Sequence, residues 1–302
     1  MEIFNAKSSR WRNLGKRGNG FFMSDRDRNI LHFLWKWKLA STASIHEAVC
    51  RPQTPYSTYK ALERLAKYKL VQTEDTFEQN FSSWVLTDRG FESIRRSLGD
   101  LAEEGYKSEN HWHDRNIVAF QLGEWATHQL PIVSFFTEQE MRRRSVECYP
   151  PWVPKTKDHR PDGYTRIKAD DGDVVLAMEV ELWPKALSVY ETTLKFYQLM
   201  RGVHRVYWLA GSESVKEQIL RARDCIKEKT ENLHVFVDLD EYIREGWEAK
   251  VTNERSGNLG TFRKTMQEIC GDIYGKQLGT NWGKSGVTAH YDTRKVLGKK
   301  RT

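Results

Sequence analysis

The run VVLAMEVEL at residues 174–182 places two glutamates at alternate positions near the end of an apolar stretch. Successive side chains of a strand point to opposite faces. Val175, Ala177, Glu179 and Glu181 therefore share one face, and Val174, Leu176, Met178, Val180 and Leu182 the other. A strand with apolar residues on both faces belongs in a sheet covered on both sides, which restricts the chain to a layered α/β architecture. Two carboxylates on one buried face repel each other, and burial penalises the charge of each, costs that a divalent cation would relieve. Asp162, in the Pro-Asp-Gly bend of RPDG at 160–163, supplies a third acid a short way upstream. Three hard oxygen donors suit Mg²⁺ or Mn²⁺. The alternative is a simple Pro-Asp-Gly turn with Glu179 and Glu181 in salt bridges on an edge strand.

The surrounding periodicity predicts the rest of that unit. HWHDRNIVAFQLGEWATHQL reads as a helix, PIVSFF and HRPDGYTRI as strands, and VVLAMEVEL as the third strand. A helix from about Lys185 to Arg201, the strand HRVYWLA, the helix SESVKEQILRARDCI and the strand LHVFVDL follow. The order is that of an α/β sandwich around a mixed central sheet. His111-Trp112-His113 opens a helix ahead of Asp114, a setting for capping or packing rather than for metal ligation. Tyr190 and Tyr197 fall in register with Leu187 and Leu194 and read as core.

Upstream, the pattern changes. Ser24 and Ser41 are N-cap signals for two helices, and TPYSTYKALERLAKYKLV is a third with Leu62, Leu65 and Ala66 inward. VQTEDTFEQNFSSWVLT reads as two strands around a polar tip at Glu78 to Asn80, followed by LTDRG and a closing helix. Three helices and a β-hairpin ending in Leu-Thr-x-x-Gly resemble a winged helix-turn-helix domain, here at residues 25–98. The resemblance implies that the third helix reads DNA. Tyr56 and Ser57 would sit near base edges, and Lys60, Arg64 and Lys67 would form a basic stripe.

Pro161-Asp162 and Glu179-Val180-Glu181 resemble the PD-(D/E)XK nuclease superfamily, with Glu181 standing where the superfamily usually has lysine. The resemblance assigns residues 110–250 to a nuclease-like domain. It implies that Asp162, Glu179 and the Val180 carbonyl hold one or two ions, and that Glu181 completes the shell or orients water. Lys185 would take over the missing positive charge, and Glu138, in TEQE, would occupy the place of an extra acid. TEQE, RPDG and EVEL…K…Y…Y, behind a winged helix, are similar to the replication-relaxation family of bacterial mobile elements, which includes the MobC-type plasmid relaxases. That likeness implies binding to double-stranded origin DNA, nicking by metal-dependent phosphodiester cleavage, and work beside other mobilisation or replication proteins.

Charge agrees with a nucleic-acid partner. Of the net charge of +7, residues 1–24 carry +4 and residues 276–302 carry +6, leaving −3 between them. Two basic arms on an acidic body suit a phosphate backbone, because each Lys or Arg beside phosphate releases condensed counterions; they equally suit solubilising tails. Residues 251–302 read as a basic C-terminal extension with Lys299, Lys300 and Arg301 near its end, and Arg142, Arg143 and Arg144 as a loop run within reach of the backbone. Cys50, Cys148, Cys225 and Cys270 are far apart and form no Cys-x-x-Cys pair. The polar N-terminus and the lack of a long apolar run lead to the expectation of a cytoplasmic protein. Two other functions remain open: a non-catalytic replication or transcription regulator on a degenerate nuclease fold, and a restriction or defence endonuclease.

Overall fold

Ser24 opens helix α1 (Asp25–Trp37) with a capping box, its hydroxyl taking the Asp27 N–H while the Asp27 carboxylate takes the Ser24 N–H at 2.9 Å. Such caps contribute about 1 kcal/mol each. The computed structural model describes residues 22–76, 81–128, 132–169, 172–226, 233–253 and 257–278. After α1 come the short strand β1 (Leu39–Ala40), helix α2 (Thr42–Ile45) capped by Ser41, and helix α3 (Pro55–Lys67) with Thr54 as cap and Pro55 in its first turn. Strands β2 (Val71–Thr76) and β3 (Phe81–Leu86) form an antiparallel hairpin, and β1 adds to β3 to give a three-stranded sheet. The hairpin tip at 77–80 lies outside the described residues.

Helix α4 (Asp88–Ile94) closes this unit through the Leu-Thr-x-x-Gly sequence. The Thr87 hydroxyl donates to the Lys69 carbonyl at 2.5 Å and accepts from Gly90 N–H at 3.0 Å. A Cβ on Gly90 would lie 1.9 Å from the Leu70 carbonyl oxygen, so only glycine lets the helix approach the hairpin this closely. Residues 99–110, which the sequence presents as an acidic linker, are stitched down. Tyr106 is buried and stacks on Phe91, and the Gly105 carbonyl accepts from both Trp35 and Gln139.

The second unit runs through α5 (His111–Ile117), which widens into a π-helical turn before Gly123, then α6 (Trp125–His128), β4 (Val133–Thr137), α7 (Glu138–Arg143) and β5 (Gly163–Ala169). Next come β6 (Gly172–Glu181), α8 (Leu187–Leu199), β7 (Arg205–Ala210), α9 (Glu213–Asp224) and β8 (His234–Asp238). The chain continues through α10 (Leu239–Glu245), β9 (Lys250–Asn253), β10 (Asn258–Thr261) and α11 (Phe262–Leu278). The seven strands lie in the order β10-β9-β8-β7-β6-β5-β4. β6, β7 and β8 are mutually parallel and the other neighbouring pairs antiparallel.

The alternation expected for β6 holds. Val175 and Ala177 pack with Tyr190, Leu194, Tyr197 and Trp208 beneath α8 and α9, while Leu176, Met178, Val180 and Leu182 join the opposite core with Phe120, Tyr242 and Phe262. β6 lies between β5 and β7, so the edge-strand alternative for its glutamates is excluded.

One boundary needs correction. Residues 250–278 are not a basic extension: β9 and β10 complete the sheet, and Val251, Phe262, Met266 and Cys270 are fully buried. Arg263 forks onto Glu124, tying α11 to the far side of the core. Four strand residues separated by a short turn gave too little alternation to read.

A buried histidine gives this unit a pH dependence. His234 is 3% exposed, and its Nδ1 accepts from the Trp208 indole N–H at 3.1 Å, which requires the ring to be neutral there. Burial, with Arg223 adding to it, pushes its pKa down from 6.5 to about 3. The unfolded chain takes up a proton below pH 6.5 and the folded chain does not, so stability present above that pH is lost as pH falls toward 3. Between pH 7.5 and pH 5 the loss from this group is about 2 kcal/mol. Urea unfolding at the two pH values is expected to show that loss, reduced in His234→Gln. An unchanged pH difference in the variant contradicts the assignment.

Candidate active site

The loop before β5 and the end of β6 bring the acids together. Gly163 pairs with Met178 across the β5–β6 ladder, which carries Asp162 toward Glu179 at the end of β6. The turn is held open by Gln121, whose amide donates to the Tyr164 carbonyl at 3.0 Å; a Cβ on Gly163 would meet that amide at 2.1 Å. A side chain at Gly163 would therefore displace the buried Gln121 amide from the turn. Asp162 Oδ2 accepts from the Val180 N–H at 2.6 Å, and the Asp162 carbonyl accepts from Glu138 N–H at 3.0 Å.

Each carboxylate then has its own cationic or hydroxyl neighbour. Glu179, 5% exposed, accepts from His159 Nε2 at 2.6 Å and from the buried Tyr197 hydroxyl. Glu181 Oε1 accepts from Lys185 Nζ at 2.6 Å, and the Lys185 N–H donates to the Tyr190 hydroxyl at 3.1 Å. His113 Nε2 lies 3.6 Å from Asp162 Oδ1 and donates to the Val180 carbonyl at 3.0 Å. The Val180 carbonyl, expected as a metal ligand, is therefore taken by His113.

The electrostatics record a surplus of negative charge. Burial raises the Asp162 carboxyl to about 7, and Glu179 and Glu181 push it the same way against the opposing pull of His113 and the Val180 N–H. Burial also raises Glu181, Glu179 adds to this, and Lys185 opposes it. Burial opposes charge on His113, but Asp162 and Asp114 outweigh it and lift its pKa to about 9. His159 is raised in the same manner by Glu179. Burial and the Glu179 charge raise Tyr197 well above the usual phenol value, which keeps it a neutral donor.

Asp162, Glu179 and Glu181 fit a hard divalent cation in donor type and in burial, which, with the Glu179 charge adding to it, raises the Asp162 carboxyl. As the side chains stand, they are turned to protein partners. Among the described residues no group of three His, Cys, Asp or Glu side chains is gathered closely enough to hold an ion.

Glu138 stands at the rim with a different commitment. Its carboxylate meets Lys38 Nζ at 2.9 Å, and the same ammonium meets Asp114 at 2.8 Å. Lys38 follows α1 in a left-handed conformation, φ 64°, that points a lysine of the first unit into the second. Lys36 adds an ion pair to Glu140 at 2.9 Å and a bond to the Phe135 carbonyl at 2.7 Å. A narrow cleft between the units is lined by Lys38, Asp114, Glu138 and Asp162 among others.

The remaining positively charged residues divide clearly. On α3, Tyr56 and Tyr59 are 69% and 43% exposed, Lys60 lies over both rings and pairs with Glu63, and Lys67 is exposed. Ser57 accepts from Arg26 at 3.0 Å. Arg64 is committed to the buried Asp27, at 2.5 Å and 2.7 Å, so it anchors α3 to the first cap of the fold. The Arg142–Arg144 run is also corrected. Arg143 is buried on Glu103, Gln139 and the Glu104 carbonyl, Arg142 pairs with Glu109, and Arg144 bonds the Leu98 carbonyl and lies over Trp35. These arginines hold the connecting segment. Lys299, Lys300 and Arg301 lie outside the described residues.

His113, His159 and Tyr197 were not legible as site residues. His159 had a signal in its place three residues before Asp162; His113 and Tyr197 read as capping and core because helical spacing says nothing of which strand a face meets. No protein-family model and no curated protein matches the chain. Among the described residues no helix is long and apolar enough to cross a membrane.

Proposed function

We propose that the chain is a DNA-binding nickase of the replication-relaxation type, with a winged helix that engages duplex DNA and a PD-(D/E)XK-like domain that cleaves one strand with Mg²⁺ or Mn²⁺. The observation that carries the reading is the convergence of Asp162, Glu179, Glu181 and Lys185 at the end of a central strand, beside a helix-and-hairpin unit that presents Tyr56, Tyr59, Lys60 and Lys67 outward. The sheet order and the parallel β6–β7 pair joined by α8 support the nuclease-like fold; α1 to α3 with the β2–β3 hairpin support the winged helix.

In this reading Asp162, Glu179 and Glu181 hold the ion. A dication held there would supply polarisation of the scissile phosphate and acidification of a water. The chain's residues do the positioning. The Val180 N–H fixes one Asp162 oxygen, and His113 lies 3.6 Å from the other. His159 and Tyr197 hold Glu179 in one rotamer. Lys185, on an exposed loop and tethered to Glu181, is placed to neutralise charge growing on phosphate.

One observation favours a second reading: every motif carboxylate is already paired with a protein group, as in a nuclease fold kept for binding alone. The two separate in one assay. Supercoiled plasmid carrying the element's own origin region is incubated with the protein in Mn²⁺, Mg²⁺ or EDTA. Metal-dependent relaxed circles are the expected product. Salt-sensitive binding without cleavage in any metal establishes the second reading, and linear product establishes a double-strand endonuclease.

For the DNA-binding helix, Lys60→Ala with Lys67→Ala is expected to weaken duplex affinity and to flatten its logarithmic salt dependence by about two units, close to one per phosphate contact. Fluorescence anisotropy across a salt series measures this, and an unchanged slope removes α3 from the interface.

A further inference from the structure

Eight of the nine tryptophans among the described residues are buried or half-buried; Trp183 is 59% exposed. It stands on the four-residue loop 183–186, all of it exposed, that leaves β6 two residues after Glu181 and reaches Lys185 two residues later. Consecutive Cα atoms are 3.80 Å apart, so the Trp183 backbone lies within about 7.6 Å of both Glu181 and Lys185. The loop is anchored at each end. The Gly211 N–H donates to the Glu181 carbonyl at 2.7 Å, and Lys185 is held by Tyr190 through its N–H and by Glu181 through its ammonium. Pro184 restricts the backbone of the loop and of Trp183 before it. An indole on an anchored loop loses little conformational freedom when a flat partner covers it.

An exposed indole of this size is a large apolar surface left in water beside charged groups that have a use for phosphate. Lys185 is half-exposed, and its ammonium pairs with Glu181 at 2.6 Å. A cation for the backbone and an aromatic face one step away are the two elements of a platform for unpaired nucleotides, because every base has a face to stack and every nucleotide a phosphate. A base inside a duplex offers no such face, since its neighbours cover both sides.

We propose that Trp183 stacks on an unpaired nucleobase of the strand whose phosphate lies at the carboxylates, so that the site takes a locally single-stranded substrate. The inference rests on the nickase reading for its ligand and specifies the state of the DNA that site accepts. Duplex recognition then belongs to α3, and strand opening precedes engagement at β6.

The test reads binding alone and is done in EDTA, so that loss of cleavage and loss of stacking remain distinct. A fluorescein-labelled 20-nucleotide oligo(dT) and a 20-base-pair duplex are titrated with wild-type protein, Trp183→Ala and Trp183→Phe. Affinity of Trp183→Ala for oligo(dT) is expected to fall by about 5- to 100-fold, the range for removing one base–aromatic stack, with Trp183→Phe within roughly threefold of wild type. Duplex affinity is expected to stay within about twofold for both, because α3 is untouched. Wild type that fails to bind oligo(dT), Trp183→Ala that binds it normally, or a variant that loses duplex and single strand equally each overturns the proposal. If stacking is lost as expected while no metal supports plasmid nicking, the nuclease reading falls and the single-strand platform stands.

Discussion

Glu179→Gln is expected to lower the nicking rate by about a thousandfold or more while leaving duplex affinity within about twofold, a difference of about 4 kcal/mol in the barrier. The substitution keeps the shape of a side chain that is 5% exposed and keeps an oxygen to accept from the Tyr197 hydroxyl and from His159. It removes the charge, which is what a dication requires of this position. Removing a negative neighbour also relieves Asp162, whose carboxyl burial and Glu179 together raise, while His159 loses its charge partner, so the two effects on the folded state oppose each other. Initial rates of relaxed-circle formation beside anisotropy on the same DNA measure both halves. Parental nicking in the variant rules out these carboxylates as the catalytic centre.

Lys38→Met is expected to destabilise the protein by about 3 kcal/mol, the effect of removing one partner from a buried ion pair. Lys38 is 14% exposed and serves Asp114, 4% exposed, and Glu138 together. Burial disfavours its charge, but the two acids outweigh that and hold the ammonium charged. Methionine keeps the stem's packing and the left-handed backbone, so the loss isolates the charge. It leaves two carboxylates facing a narrow cleft with their shared cation gone. Asp114→Asn combined with Lys38→Met is expected to lose less than the sum of the single changes, because the residues share one network. Urea unfolding, followed by tryptophan fluorescence and circular dichroism together, measures the change. A shift under about 0.5 kcal/mol, the scale of ordinary surface substitutions, contradicts the role.

The same lysine ties the two units into one chain of contacts. Lys38 meets Asp114, Asp114 lies 3.9 Å from His113, and His113 faces Asp162. The first unit thus touches the electrostatics of the second through side chains as well as through the connecting segment 99–110.

How far the sequence carried depends on the range over which each element is specified. β6 was legible because its alternation is local and both of its faces are covered; the capped helices α1 and α2 were legible because Ser24 and Ser41 stand next to the turns they cap. Asp162, Glu179 and Glu181 were legible as a group because acids in apolar surroundings demand a reason wherever they occur. The partners of those acids were not. His113 reaches Val180 across 67 positions and Arg64 reaches Asp27 across 37, and neither spacing leaves a periodic trace. The arginine run at 142–144 misled for the same reason, since a charge is read as exposed until its buried partner is seen. β9, β10 and α11 were hidden by short strands and by a basic tail that begins where the helix ends.

Direct titration of the wild-type protein with Mn²⁺, following free ion by electron paramagnetic resonance, decides whether the β6 carboxylates form a cation site. Saturable binding that is lost in Glu179→Gln and competed by Mg²⁺ is the expected result. No binding to wild type at millimolar Mn²⁺, or binding untouched by Glu179→Gln, contradicts it.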